Sequence, residues 1–396
     1  MQITKLKEQI YKTMTSSHMD PKQVISACNV LSEKIKAGIY DEQIRSLGLS
    51  EEEGHQKLKE AAKMLSAEFL HIKVKTELGT DQNKAFPLGV LFHIGAGNAE
   101  GLSAYSIIEG LLTGNINIVK LSKNESGASV FIIQELFDIL PLLKEYVYLF
   151  EFSSSDKDRI KELASLADAV VIWGGDKAIQ SIRTIVDSNC RLIEWGHKIS
   201  FAYINPKSAT DNELANLALH IIHTNQLLCS SCQGIYIDCS NESDIDTFSE
   251  RFLRIMEQEV RQSAMNDYGW SAKNTLQRYT YELERLEDTE KIFKGRGVNL
   301  FYRKNPQLEA ALGFGNLWIK ALPRTKIIET LKESRGYLQT VGLICDETER
   351  RSLAELFIRA GLTSIRQAGD MSAMYEGEGH DGDYPLRRYS KIVDYL

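Results

Sequence analysis

A thiol and a carboxylate separated by one strand-like and one helix-like stretch are the first residues in this chain whose types and spacing suit chemistry. Cys229 closes the run Asn225-Gln226-Leu227-Leu228-Cys229-Ser230-Ser231-Cys232. Glu194 lies 229 − 194 = 35 residues earlier, in Ile193-Glu194-Trp195-Gly196-His197-Lys198. A cysteine in a small, polar loop can present a thiolate, and a nearby carboxylate can take its proton or that of a water. Between them the apolar run Ile199 to Ile204 and a helical pattern from Glu213 to His223 predict an α/β unit. Such a unit can return the chain to the same edge of a sheet, where base and nucleophile meet in one cleft. Asn98 follows Gly95 and Gly97, and its amide could donate to an oxygen that gains charge during acyl transfer.

Each of these residues also has a plainer reading. Asn98 suits a left-handed turn, and Glu194 suits an ion pair with Lys198 or His197. Cys28, Cys190, Cys232, Cys239 and Cys345 are read as structural cysteines. Cys229-x-x-Cys232 could be a redox or zinc pair, which would have to recruit His223, Cys239 or distant ligands. The expectation is that no metal is bound.

The elements that must position these groups follow from the rest of the chain. At 396 residues it exceeds one ordinary core, so two or three domains are expected. A composition 43% hydrophobic and 26% charged argues for a folded protein, and a net charge of −7 gives no general attraction for nucleic acid. No apolar run suits a signal peptide or membrane span. Irregularly spaced cysteines fit a reduced, cytoplasmic protein.

Residues 1–70 read as an N-terminal helical region, with Leu58, Ala61, Ala62, Leu65 and Phe69 on one helical face. Ser50-Glu51-Glu52-Glu53 has the form of a capping box. His71 to Leu78 alternates apolar and polar, which predicts a half-buried strand, and Gly79 to Asn83 a turn, so 71–86 reads as a hairpin arm. From Leu88 apolar strands alternate with helices as far as Trp195, the mark of a parallel sheet covered on both faces. Its loops Gly95–Asn98, Ser122–Ser126 and Gly174–Asp176 stand at strand carboxyl ends, where open sheets bind ligands. Gly95-x-Gly97-x-x-x-Gly101 misses the dinucleotide fingerprint by one residue, and no Walker-type phosphate loop is present. A second α/β region follows Cys229, with helices predicted at Ser243–Arg261, Thr280–Lys291 and Glu347–Ala360, and a strand at Gln339–Cys345.

The motifs in order are Gly97-Asn98, Gly114-Asn115-x-x-x-x-Lys120, Gly174-Gly175, Glu194-x-Gly196-x-Lys198 and Asn225-Gln226-x-x-Cys229. This series resembles the aldehyde dehydrogenase superfamily. Within it, Ile172-Trp173-Gly174-Gly175-Asp176, Gly196-His197-Lys198-Ile199-Ser200-Phe201, Cys229-Ser230-Ser231, Leu338-Gln339-Thr340-Val341-Gly342 and His380-Asp381-Gly382 are similar to the LuxC-type fatty acyl-CoA reductases of bacterial luminescence. The resemblance runs from about Phe86 to the C-terminus.

It implies an α/β, aldehyde dehydrogenase-like fold. A Rossmann-type cofactor domain would span 87–196 and a catalytic cysteine domain 197–370, with an oligomerisation arm and tail at 71–86 and 371–396. It further implies that Cys229 attacks an acyl thioester, that Asn98 and the Cys229 N–H hold the oxyanion, and that a nicotinamide reduces the acyl-enzyme to an aldehyde. Glu194 would act as base. Lys120, Ser122, Lys123, Trp173, Gly174 and Gly175 would form the cofactor site. NAD-preferring aldehyde dehydrogenases commonly carry Glu at the position of Lys123, and a cation there favours the 2′-phosphate of NADPH. The acyl donor would be acyl-CoA or an acyl carrier, such as an acyl-protein synthetase, and the chain a homo-oligomer. Two features depart from the superfamily: the Glu-x-Phe-Gly-Pro segment is missing, and Cys232 replaces an expected proline. An oxidative aldehyde dehydrogenase, an acyl-phosphate reductase and a zinc-clipped binding protein remain rival readings.

Overall fold

Strands rich in apolar residues, several of them buried along their whole length, set the two sheets of this protein. The computed structural model describes residues 3–16, 18–42, 51–79, 84–95, 101–122, 127–263, 268–284 and 291–394, without side chains at 51–53, 263 and 268. The chain divides into two compact units, Met1–Gly196 with Tyr375–Leu396, and His197–Met374.

The first unit opens with helices α1 (Ile3–Ser16), α2 (Pro21–Lys36), α3 (Glu51–Leu65) and α4 (Ala67–Leu78), followed by the short strand β1 (Ala85–Pro87). Then come β2 (Val90–Ile94), α5 (Leu102–Leu112), β3 (Ile116–Leu121), α6 (Ala128–Ile139), β4 (Val147–Glu151), α7 (Lys157–Ala164), β5 (Ala169–Trp173), α8 (Asp176–Arg183) and β6 (Arg191–Trp195). The five strands β2 to β6 form a parallel sheet in the order β4-β3-β2-β5-β6. Leu6, Leu31 and Leu70 of the early helices share one apolar core with Ile107 of α5, Ile118 of β3 and Leu136 of α6.

The second unit runs β7 (Ile199–Ile204), α9 (Asp211–Thr224), β8 (Cys232–Ile237), α10 (Glu242–Ser263), α11 (Tyr268–Glu284), β9 (Ile292–Gly295), β10 (Val298–Tyr302), β11 (Asn316–Ala321), α12 (Ile327–Lys332), β12 (Leu338–Ile344), α13 (Glu347–Ala360) and β13 (Ser364–Gln367). Its seven-stranded sheet has the order β13-β12-β7-β8-β11-β10-β9. All its strands pair in parallel except β9, which is antiparallel to β10. The chain then returns to the first unit with the short helix α14 (Pro385–Arg388) and strand β14 (Ser390–Ile392). β14 pairs antiparallel with β1, Ala85 opposite Ile392.

Four sequence expectations are corrected. His71–Leu78 is not a strand of a hairpin arm but most of α4, capped by Ser66, whose side chain accepts from the Phe69 N–H. Its alternation is overridden by a helical pairing: Lys73 and Glu77, one turn apart, meet at 2.5 Å in the interior. The expected helix Thr280–Lys291 lies earlier, as α11, with residues 285–290 outside the described set. β9 and β11 escaped the sequence pattern; Asn316 and Lys320 of β11 are nevertheless buried. The 35-residue spacing does not return the chain to one sheet edge either. β6, which carries Glu194, belongs to the five-stranded sheet, and the Cys229 loop leads into the seven-stranded one.

Candidate active site

The cysteine loop is built from the end of α9. That helix begins with a true capping box: Thr210 Oγ1 accepts from the Glu213 N–H, and Glu213 accepts from the Thr210 N–H. Leu214, Leu217, Ala218 and Ile221 recur at helical spacing and are all buried, which fixes the helix against the sheet. Asn225 (φ 51°) and Gln226 (φ 60°) then adopt the left-handed region, unusual for two consecutive residues with side chains. The strain is held by Gln226, whose buried amide donates to the Cys232 carbonyl at 3.1 Å and accepts from the Gly315 N–H at 2.9 Å. Gln233 Nε2 adds a third tie, to the Gln226 carbonyl at 2.9 Å.

Within that frame Cys229 is half-buried. Ser200 Oγ, from β7, donates to the Cys229 carbonyl at 2.7 Å and accepts from the Thr340 N–H of β12 at 3.0 Å. Ser230 and Ser372 hydroxyls meet at 2.8 Å. Partners from β7, β8, Gly315 and Ser372 therefore hold the loop around one thiol. Cys232, in contrast, is inside β8: fully buried, with its thiol donating to the Gly234 carbonyl at 3.2 Å and pushed up to about 12 by burial. Burial also raises the thiols of Cys28, Cys190, Cys239 and Cys345. His220 Nε2 accepts from the Cys232 N–H at 3.3 Å, and burial pushes the ring down to about 4, so it is neutral. Among the described residues no group of three or more His, Cys, Asp or Glu is placed to hold a metal ion.

Glu194 stands on β6 and is neither alone nor paired with Lys198 or His197. Arg183 of α8 takes both of its oxygens, Nε to Oε1 at 2.5 Å and Nη2 to Oε2 at 2.6 Å. Arg388 Nη1 donates to the Glu194 carbonyl at 3.2 Å. Lys198 instead donates to the Gly336 carbonyl at 2.7 Å. Nothing in the sequence pattern singled out Arg183 or Arg388.

The cofactor candidates lie along the carboxyl ends of the first sheet. Strand order reverses between β2 and β5, the topological switch where doubly wound sheets take dinucleotides. Trp173 ends β5, stacked on Trp195 (centroids 5.4 Å) with Nε1 donating to Ser106 Oγ at 3.2 Å. Gly174 and Gly175 follow, and a methyl group at Gly175 would meet nothing within 4 Å, so backbone there is approachable. Lys120, next to last in β3, is almost fully buried, donating to the Leu121 carbonyl at 3.2 Å and lying 5.8 Å from the Phe152 ring centre. Ser122 follows the strand, half-buried. Asn98 and Lys123 lie outside the described residues, as does Ser50 of the predicted capping box. This strand order and open glycine turn fit a dinucleotide.

The family profile described as "Acyl-CoA reductase (LuxC)" matches residues 22–392. The chain belongs to the LuxC acyl-CoA reductase family. One relative of this LuxC-family chain, named long-chain acyl-protein thioester reductase 2, from Photobacterium leiognathi, is 24% identical over 79% of the chain and 64% of the relative. The LuxC-family chain thus spans less than two thirds of that relative's length. The long-chain acyl-protein thioester reductase of Photobacterium phosphoreum is 23% identical, covering 98% of the chain and 83% of the relative. Among solved structures, the glyceraldehyde-3-phosphate dehydrogenase of Methanocaldococcus jannaschii, complexed with NADP, aligns with a TM-score of 0.70 at 13% identity, over 99% of this chain and 93% of that one. Lactaldehyde dehydrogenase aligns with a TM-score of 0.71 at 14% identity, over 99% of this chain and 90% of that one, so the LuxC-family chain has the aldehyde dehydrogenase-like α/β fold.

Proposed function

We propose that this chain reduces an acyl thioester, such as an acyl-CoA, to the aldehyde through an acyl-Cys229 intermediate, with NADPH as the reductant. The observation that carries the reading is the contrast among the cysteines. Cys28, Cys232 and Cys239 are buried and Cys190 and Cys345 are half-buried like Cys229, but the loop braced by Gln226 and Ser200 is the one that carries Cys229. Rigid support of a nucleophile is what covalent catalysis needs.

In this reading Cys229 Sγ attacks the thioester carbonyl, its proton passing to a base, and the donor thiol leaves. Asn98 and the Cys229 N–H donate to the oxyanion. Bound NADPH would supply the hydride that reduces the acyl carbon, and the carbon–sulfur bond to Cys229 would break as aldehyde leaves. Gly174 and Gly175 would let the backbone approach the cofactor phosphates, Trp173 and Ser122 would flank them, Lys120 would hold a ribose and Lys123 the 2′-phosphate. The names of the relatives support an acyl-protein donor, the exposed parts of 71–86 and 371–396, such as Phe86 and Ile392, are the proposed oligomer contacts, and the proposed compartment is the cytoplasm. No described helix is long and apolar enough to cross a membrane.

The cofactor choice is tested by kcat/KM for NADPH and NADH. Lys123→Glu is expected to lower the NADPH:NADH ratio at least tenfold, and an unchanged ratio would end the assignment.

A further inference from the structure

A second turn closes on the loop that leads to Cys229, and it is held from behind. Gly313, Phe314 and Gly315 are three consecutive left-handed residues (φ 82°, 52° and 78°), bonded to the left-handed pair Asn225 and Gln226. The Phe314 N–H donates to the Asn225 carbonyl at 3.3 Å, and the Gly315 N–H to Gln226 Oε1 at 2.9 Å. The Ala311 N–H donates to Gln233 Oε1 at 3.0 Å. Glycine tolerates the left-handed region, but Phe314 is strained there. Such a turn persists only where its surroundings over-determine it.

The support is a triad of buried asparagines: Asn274 on α11, Asn299 on β10 and Asn316 at the start of β11. Asn274 Nδ2 donates to the Phe314 carbonyl at 2.7 Å. Asn316 Nδ2 donates to the carbonyls of Gly313 at 2.9 Å and Asn274 at 3.1 Å. Asn299 acts on both of these side chains, its Nδ2 donating to Asn316 Oδ1 at 2.8 Å and to Asn274 Oδ1 at 3.1 Å. A primary amide has two N–H donors, and Asn299 uses both here. Oxygen and nitrogen diverge in an amide, so accepting from Asn299 turns the donor ends of Asn274 and Asn316 toward the turn. Flipping either amide would set oxygen against oxygen away from water.

We propose that Asn299 is a positioning residue for the nucleophile: by orienting Asn274 and Asn316 it fixes the Gly313–Gly315 turn, and through that turn the backbone that presents Cys229. The inference rests on the acyl-Cys229 reading above. Every residue it uses belongs to the compact unit His197–Met374.

The test is single-turnover acylation of the full chain by an acyl-CoA, followed by intact-protein and peptide mass spectrometry over a range of donor concentrations. Asn299→Leu keeps the bulk and removes both donors. Its limiting acylation rate is expected to fall about 10- to 100-fold, while the donor concentration giving half that rate stays within about twofold of wild type. Asn274→Ala, which leaves the Asn299–Asn316 bond in place, is expected to lose less, and it carries the test if Asn299→Leu does not fold. Phe357→Leu, in the separate core of Phe201 and Tyr203, lowers Tm without touching the triad and should acylate at the wild-type rate. Wild-type acylation by folded Asn299→Leu or by Asn274→Ala, or an equal loss in Phe357→Leu, would overturn the assignment. If no acyl group reaches Cys229 in the wild type, the underlying reading fails instead.

Discussion

At the scale of single residues, the cysteine loop separates two thiols three positions apart. Cys229→Ala is expected to abolish both acylation and aldehyde formation, whereas Cys232→Ala should leave the chemistry in place and lower stability by about 1 kcal/mol. Turnover of both variants and their urea midpoints check this. Gln226 is the second test. Its side chain satisfies the Cys232 carbonyl and the Gly315 N–H, so Gln226→Ala leaves both without their buried partner, at a cost of about 1–3 kcal/mol, and aldehyde formation should fall more than the acyl donor's KM rises. Cys229 and Glu194 could be singled out as candidates in the sequence because their types and their flanking motifs stand out. Arg183 was not, since its partner lies 194 − 183 = 11 residues on and a neighbouring strand, not helical spacing, brings them together. The sequence pairing of Glu194 with Lys198 failed for the same reason.

Among the elements, α4, α5 and α14 are joined by a buried charge cluster. Lys73 Nζ meets Glu77 at 2.5 Å and Glu109 at 2.9 Å, and Glu77 also accepts from the Leu386 N–H at 2.8 Å. One cation faces two carboxylates away from water. Burial raises Glu109 from its ordinary 4.5 to about 7, against the lowering effect of Lys73, while Lys73 itself is driven upward because its carboxylates outweigh its burial. Between these two Glu109 values the folded chain binds more protons than the unfolded one, so this group's contribution falls as pH rises through the window, by about 3 kcal/mol in all. Glu109→Gln removes that titration and is expected to flatten the decline of Tm between about pH 5 and 7. A slope unchanged from the wild type would exclude Glu109 as its source. Lys73→Ala, by stranding two buried carboxylates, should cost about 3–5 kcal/mol. This cluster also explains why His71–Leu78 was misread. Alternation reports faces of a strand, but here Lys73 and Glu77, polar in the pattern, point inward. By contrast β5 is an uninterrupted apolar run, and β2 and β3 are apolar but for His93, Asn117 and Lys120, so their parallel pairing could be read from strands alternating with helices.

For the molecule as a whole, the family and the aldehyde dehydrogenase-like fold were readable because the motifs occur in order along most of the chain. The part played by the tail was not, since pairing over about three hundred residues leaves no local periodicity. Tyr389 is fully buried in the first unit, where its hydroxyl lies 3.4 Å from Trp195 Nε1 and 3.3 Å from Ser106 Oγ, and its carbonyl accepts from Asn115 at 2.9 Å. Tyr389→Ala should therefore destabilise that unit by about 3–5 kcal/mol, seen as a lower urea midpoint; a surface tail would tolerate it. The central claim, a covalent acyl-Cys229 enzyme on the path to aldehyde, is tested most directly by intact-protein and peptide mass spectrometry after incubation with a panel of acyl-CoAs without cofactor. The account predicts one acyl adduct, located on Cys229, that disappears as aldehyde forms when NADPH is added. An adduct on another residue, or aldehyde formed by the Cys229→Ala chain, would contradict it.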